Sequence, residues 1–174
     1  MDSLRRFDIG LAKFIQGLST AWQPVMAGIS FLGEPVVVLT IGFVGFVAAL
    51  QREQSDIEKA FFFAAIAYGI NTALKMVLHR RRPHDLLVTT LGFRSYSFPS
   101  GHAFGTIIFY GLYAYLDYIY LSQPYNWLIA ALLGVLIAFV GISRVYLKAH
   151  YPSDVTGGWL LGGLSLFIII KLVF

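Results

Sequence analysis

Two histidines stand beside groups that could move protons or hold an anion. His150 lies six residues after Arg144 and four before Asp154, in the stretch SRVYLKAHYPSD from Ser143 to Asp154. His102 follows Pro99, Ser100 and Gly101. A third block, Lys75-x6-Arg82-Pro83, adds two cations. Only 13% of the chain is charged, so polar groups at this density mark a functional site in an apolar chain. The inventory suits a tetrahedral dianion. Lys75, Arg82 and Arg144 can neutralise its non-bridging oxygens, the arginines through bidentate forks. Ser100 and the N–H groups of Gly101 and His102 fall at a helix start, a ready anion seat. One histidine can then attack phosphorus while the other protonates the leaving oxygen. Spacing alone does not divide those roles, but Asp154 is placed to fix the tautomer of His150, which favours His150 as nucleophile.

Something apolar must carry these groups. Of the 174 residues, 57% are hydrophobic, and mean hydropathy is +0.71. Soluble domains hold about 45–50% apolar residues. The apolar residues come in long blocks, so the chain reads as an all-α integral membrane helix bundle. Its length allows one domain, 1–174: amphipathic or interfacial N-terminal helices over 1–33 and a helix bundle carrying the polar blocks over 34–174. Five core transmembrane helices are expected near 35–50, 57–78, 100–121, 126–147 and 153–173. Glu34 and Pro35 suit a helix start. Pro152 is expected to end the fourth span and Ser153 to cap the fifth. Over residues 4–18, Leu4, Phe7, Leu11, Phe14, Ile15 and Leu18 recur at helical spacing between Arg5, Arg6, Asp8, Lys13 and Gln16. That pattern predicts a helix lying on the membrane or packed on the bundle. Residues 20–32 predict a second short helix. Five alternating spans place all three polar blocks at the same side of the membrane.

These blocks, in this order and spacing, resemble the type-2 phosphatidic acid phosphatase superfamily. The resemblance runs from Lys75 to Asp154; residues 1–55 carry no motif. It implies a metal-free phosphatase with no cofactor. His150 would be the nucleophile, oriented by Asp154, and His102 the general acid. Lys75, Arg82, Ser100, Gly101 and Arg144 would bind phosphate. The expected substrate is a membrane lipid phosphate or diphosphate: undecaprenyl diphosphate, phosphatidylglycerophosphate, phosphatidic acid or lipid A 1-phosphate. A phosphotransferase using the same phospho-histidine, or a non-enzymatic transporter or scaffold, are the alternatives.

Several residues have plainer readings. Arg80 and Arg81 read as surface cations, His79 and His84 as headgroup-region residues, and Asn71 as an interhelical hydrogen bond. Arg94 is a candidate substrate contact. Gly42, Gly45, Gly101, Gly105, Gly158 and Gly162 permit close helix packing. The catalytic side has few carboxylates, Asp85 and Asp154, with Asp2 and Asp8 far upstream, which disfavours a two-metal site. With no cysteine, disulfides and thiolate chemistry are excluded. The formal charge of +4 fits anionic lipid; no nucleic acid and no obligatory protein partner are expected. Ten of the thirteen Lys and Arg fall on the catalytic side, which by the positive-inside rule would face the cytoplasm. The family resemblance implies instead the periplasmic face of a bacterial inner membrane, and that placement is adopted.

Overall fold

The computed structural model describes residues 2–83 and 96–174, and every regular element among them is helical. In order these are α1 (Asp2–Gln16), α2 (Gln23–Phe31), α3 (Pro35–Gln51), α4 (Ser55–Leu78), α5 (Gly101–Tyr120), α6 (Tyr125–Tyr146) and α7 (Pro152–Val173), with one 3-10 turn at Thr20–Trp22. Their ends follow local chemistry. Pro35 and Pro152 each stand at the first helical position, where the missing N–H is one the helix would leave unpaired anyway. Ser100 caps α5, its hydroxyl oxygen accepting from the Ala103 N–H at 3.4 Å. α4 stops at His79, whose φ of 50° is left-handed.

The junction of α6 and α7 differs from expectation. α6 ends at Tyr146, well before Pro152, so the proline opens α7 and does not terminate α6. The chain turns at Lys148, at φ 59°, and the N–H groups of Ala149 and His150 return to the Arg144 carbonyl at 3.0 and 3.2 Å. This closure brings His150 back to the end of the helix that carries Arg144. Ser153 does not cap α7. Tyr151 is the capping residue, and its N–H donates to Asp154 Oδ2 at 2.8 Å.

α5 is the central helix, packed against α3, α4, α6 and α7. Its Phe104, Ile108, Phe109 and Leu112 form the main core with Val38, Phe61 and Tyr68. The glycine positions serve this packing within the bundle: a Cβ at Gly42 would strike Phe109, one at Gly45 Phe61, and one at Gly105 Tyr68. Four segments, Thr20–Gln51, Ser55–Leu78, Tyr125–Tyr146 and Pro152–Val173, are long and apolar enough to cross a membrane. The expectation of five spans meets these four. α5 is not one of them: its five tyrosines and three glycines dilute its apolarity, and its surroundings are mostly protein. Outward, Phe43, Ile70, Val77, Leu132, Leu160 and Leu172 are all exposed, an apolar surface that suits lipid and marks an integral membrane protein.

α1 lies against α6 and α7, and α2 against α6. One face of α1 carries Asp8, Ala12, Ile15 and Gln16, an i, i+4, i+7, i+8 row. Ala12 and Ile15 pack on Ala103, Val145 and Val155, and Gln16 Nε2 donates to the Val145 carbonyl at 3.0 Å. Leu4, Phe7, Leu11 and Phe14 remain exposed on the other side. The N-terminal segment thus both docks on the bundle and keeps an apolar row facing out.

Candidate active site

The site forms around the first turn of α5. Lys75 arrives from the last turn of α4, Arg82 from just beyond it, and Arg144 from the last turn of α6. Lys75 lies over the helix start: a Cβ built on Gly101 would sit 3.1 Å from its Nζ and 3.4 Å from the Tyr68 hydroxyl. Glycine at this position therefore leaves room for the ammonium above the free N–H groups. Arg144 is 7% exposed, and its Nη1 donates to Ser30 Oγ at 2.5 Å. Its Nε is buried without a hydrogen-bond partner among the described residues. A buried donor of this kind is costly unless something accepts from it. Arg82 Nη1 donates to the Ala149 carbonyl at 3.1 Å, which ties the turn before His150 to the segment after α4. Burial lowers the Arg82 pKa from the ordinary arginine value, yet a guanidinium stays charged.

His150 is 1% exposed. Its Nδ1 faces Asp154 Oδ2 at 3.6 Å and Ser97 Oγ at 3.4 Å. The Ser97 hydroxyl donates to the same Asp154 oxygen in a short hydrogen bond. The ring is thereby held on its Nδ1 side, which leaves Nε2 as the nitrogen without these partners. Burial above all, then the charges of Arg82, Lys75 and Arg144, and His102, push the His150 pKa well below the usual histidine range. A shift in that direction favours the uncharged ring. The His150 N–H on the Arg144 carbonyl and the Arg82 guanidinium on the Ala149 carbonyl bring these sequence blocks side by side.

Asp154 is fully buried. Besides Ser97 and the Tyr151 N–H, it accepts from Arg80 Nη1 at 2.7 Å through Oδ1. The carbonyl of Asp154 accepts the Ser100 N–H at 2.9 Å, which joins α7 to the start of α5. That approach needs Gly158, where a Cβ would fall 2.6 Å from the Ser100 carbonyl oxygen. His102 is 7% exposed, and its Nε2 is 3.1 Å from Glu34 Oε1, within ion-pair distance. A cleft of about 220 Å³ opens at His150, lined also by Lys13, Lys148 and Tyr151.

The structure thus brings together Lys75, Arg82, Ser100, Gly101, His102, Arg144, His150 and Asp154. Sequence reasoning missed Glu34, Asp8, Ser97, Ser153 and Ser30. Glu34 was legible only as a helix start, although its place before the first span put it on the catalytic side. Arg80 corrects the surface-cation reading, because its guanidinium bridges two carboxylates, Asp154 and Asp8. Asn71 makes no interhelical hydrogen bond: its amide N and O are both buried without partners among the described residues. The expectation of few carboxylates also changes, since Glu34 and Asp8 reach the site. Each faces a histidine or an arginine, and among the described residues no three His, Asp or Glu side chains are placed to share a metal ion. His84, Asp85 and Arg94 lie outside the described residues.

A helical membrane protein with a cationic, doubly histidine-armed anion site at a helix start is the kind of molecule that handles phosphoryl groups on lipids. Residues 59–174 match the model of the PAP2 superfamily, and the chain belongs to that family. It is 32% identical over 174 residues to phosphatidylglycerophosphatase B of Bacillus subtilis, covering 98% of this chain and 84% of that one. A second relative, an undecaprenyl-diphosphatase of Sulfolobus acidocaldarius, is 32% identical over 112 residues, covering 62% of this chain and 50% of the relative. The crystal structure of a transmembrane PAP2-type phosphatidylglycerolphosphate phosphatase from Bacillus subtilis superposes with a TM-score of 0.83 at 29% identity, covering 99% of this chain and 87% of that one. The chain is accordingly a membrane phosphatase of the lipid phosphate class.

Proposed function

We propose that this protein removes the terminal phosphoryl group from a lipid phosphate or diphosphate without a metal ion, through a phospho-histidine on His150. The observation that carries the reading is the meeting of the three blocks around the open start of α5: Lys75 lies over Gly101, Arg82 holds the Ala149 carbonyl, and the N–H of buried His150 returns to the Arg144 carbonyl. The phosphoryl oxygens would lie among these cations and the N–H groups of Gly101 and His102. His150 Nε2 forms a bond to phosphorus as the bond from phosphorus to the lipid oxygen breaks. Asp154 holds the Nδ1 proton as charge develops on the ring. His102 gives its proton to the leaving oxygen, and Glu34, 3.1 Å away, steadies the charged form of His102. His102 then takes a proton from water as the water attacks phosphorus, which frees phosphate and restores His150.

The relatives point to phosphatidylglycerophosphate and undecaprenyl diphosphate as the substrates to try first. Lipid tails would lie along the apolar outer faces while the headgroup meets the site. We take the chain as one domain, with α5 as the fifth crossing and α1 in the interface of a bacterial inner membrane. The active site is assigned to the periplasmic face. Arg80, paired with two carboxylates, no longer reports topology freely, which weakens the positive-inside argument against that face. The test is phosphate release from phosphatidylglycerophosphate, phosphatidic acid and undecaprenyl diphosphate in excess chelator. Release from at least one of them is expected, and its loss in His150→Ala. A divalent-metal requirement, or full activity in that variant, overturns the mechanism.

A further inference from the structure

Asp8 is a carboxylate on the amphipathic N-terminal helix, yet it is only 3% exposed. A buried charge is costly unless paired and hydrogen-bonded. Asp8 is paired three ways. Oδ2 accepts from Arg80 Nη2 at 2.8 Å and from the Ser153 hydroxyl at 2.7 Å, and Oδ1 accepts from the Ser153 N–H at 2.8 Å. The other arm of the same guanidinium, Nη1, donates to Asp154 Oδ1 at 2.7 Å and to Ser153 Oγ at 2.8 Å. The guanidinium also rests on the Tyr151 ring, 4.8 Å from its centroid. A continuous line therefore runs from α1 to the reacting histidine: Asp8, Arg80, Asp154, His150.

Arg80 alone would draw the Asp154 charge away from His150, because it places a full positive charge on the oxygen opposite the one that faces the ring. Asp8 supplies the second negative charge that balances it. We propose that Asp8 is a positioning residue for the phosphoryl-transfer reaction, acting through Arg80 to leave the Asp154 charge available to His150, so that turnover depends on α1 being docked. This rests on the reading of His150 as the nucleophile. It gives α1 a role beyond anchoring. The inward row of Asp8, Ala12, Ile15 and Gln16 ties the helix to the site, while Leu4, Phe7, Leu11 and Phe14 face outward.

The other groups that act on His150 are Lys75 and Arg82 from α4 and the segment after it, Arg144 from α6, His102 from α5 and the Ser97 hydroxyl. None is altered by a change at Asp8, so a shift in the pH profile reports the Asp8–Arg80 line. The experiment uses the full chain in detergent micelles, with release of phosphate from dioctanoyl phosphatidic acid followed between pH 5 and 9. Asp8→Asn, which keeps the shape and removes the charge, is expected to lower kcat about tenfold with KM within about threefold. Its acid limb of kcat/KM should move to lower pH by about half a unit or more. Asp8→Glu should restore at least about a third of the wild-type kcat. Arg80→Gln should move the acid limb the opposite way, to higher pH, because the carboxylates then lose their cation. Opposite shifts cannot come from a shared loss of packing. The inference is overturned if Asp8→Asn matches the wild type in kcat and acid limb, or loses activity with an unmoved limb. It is also overturned if the limb of Arg80→Gln stays in place, an outcome that still decides the matter should Asp8→Asn fail to fold. His150→Ala is the control: full activity there sinks the nucleophile reading itself, whereas an inactive His150→Ala beside a wild-type-like Asp8→Asn sinks only the role of Asp8.

Discussion

Gly101→Ala adds one methyl group at the centre of the proposed phosphate seat. The new Cβ would lie 3.1 Å from Lys75 Nζ and 3.4 Å from the Tyr68 hydroxyl. Ordinary contacts of a Cβ fall at 3.4–4 Å, so the ammonium must give way by a few tenths of an ångström. It can, being the end of a flexible side chain, and the fold should survive. Binding should suffer more. Lengthening an ion contact from about 3 to about 3.5 Å, at an effective dielectric constant of about 20, weakens it by about 0.8 kcal/mol. Losing the charge-assisted hydrogen bond altogether costs about 1.5–3 kcal/mol. These bounds translate to a fall in kcat/KM of between about 4-fold and about 150-fold. The assay is phosphate release in micelles beside thermal unfolding of the same preparation. Gly158→Ala is the contrast. Its Cβ would meet the Ser100 backbone oxygen at 2.6 Å, so there the melting temperature should fall first. A Gly101→Ala enzyme within about twofold of wild-type kcat/KM would refute the placement of Lys75 over the phosphate.

Two other outcomes follow from the paired histidines. Glu34→Gln removes the charge beside His102, and should slow the first, enzyme-phosphorylating step with lipid phosphates at least about tenfold while sparing the pre-steady-state burst of p-nitrophenolate, whose release needs no proton; equal losses in the first step with both substrates would count against His102 as the acid. His150 has its pKa pushed down by burial and by the surrounding cations, so below about pH 6.5 the unfolded chain binds a proton that the folded one refuses. Stability from this group is therefore complete above about pH 6.5 and declines on acidification, by at most about 1.4 kcal/mol per pH unit. Thermal unfolding at pH 7.5 and 5 should show a larger loss for the wild type than for His150→Gln, and equal losses would mean that His150 is not held neutral.

The helices were legible because long apolar blocks and the Pro and Ser punctuation act locally. α3 to α7 lie within two residues of their expected spans. The site was legible where its residues share short motifs: Lys75 with Arg82, Ser100 with His102, Arg144 with Asp154. What failed depends on distant contacts. Asp8 and Arg80 are 72 residues apart, and nothing in their local sequence pairs a carboxylate on an interfacial helix with one arginine of three in a row. Glu34 looked complete as a helix start, since capping explains an acidic residue there without a second partner. The Ser153 error has the same origin. Its position suits a cap, but the turn formed by Lys148 to His150 shifts that role to Tyr151 and frees Ser153 for Asp8. α5 shows the converse. Tertiary burial at the centre of the bundle lets a less apolar helix stand where the sequence pattern asked only for a span.

The central claim is a phosphoryl group carried on His150. The most direct measurement is mass spectrometry of peptides from a His102→Ala enzyme quenched at alkaline pH during turnover of p-nitrophenyl phosphate. That substrate needs no general acid to load the histidine, whereas hydrolysis of the intermediate needs His102 as base. Phosphate should be found on His150, and be absent when His150 is also replaced. Turnover with His150 unmodified, or with phosphate on another residue, would contradict it.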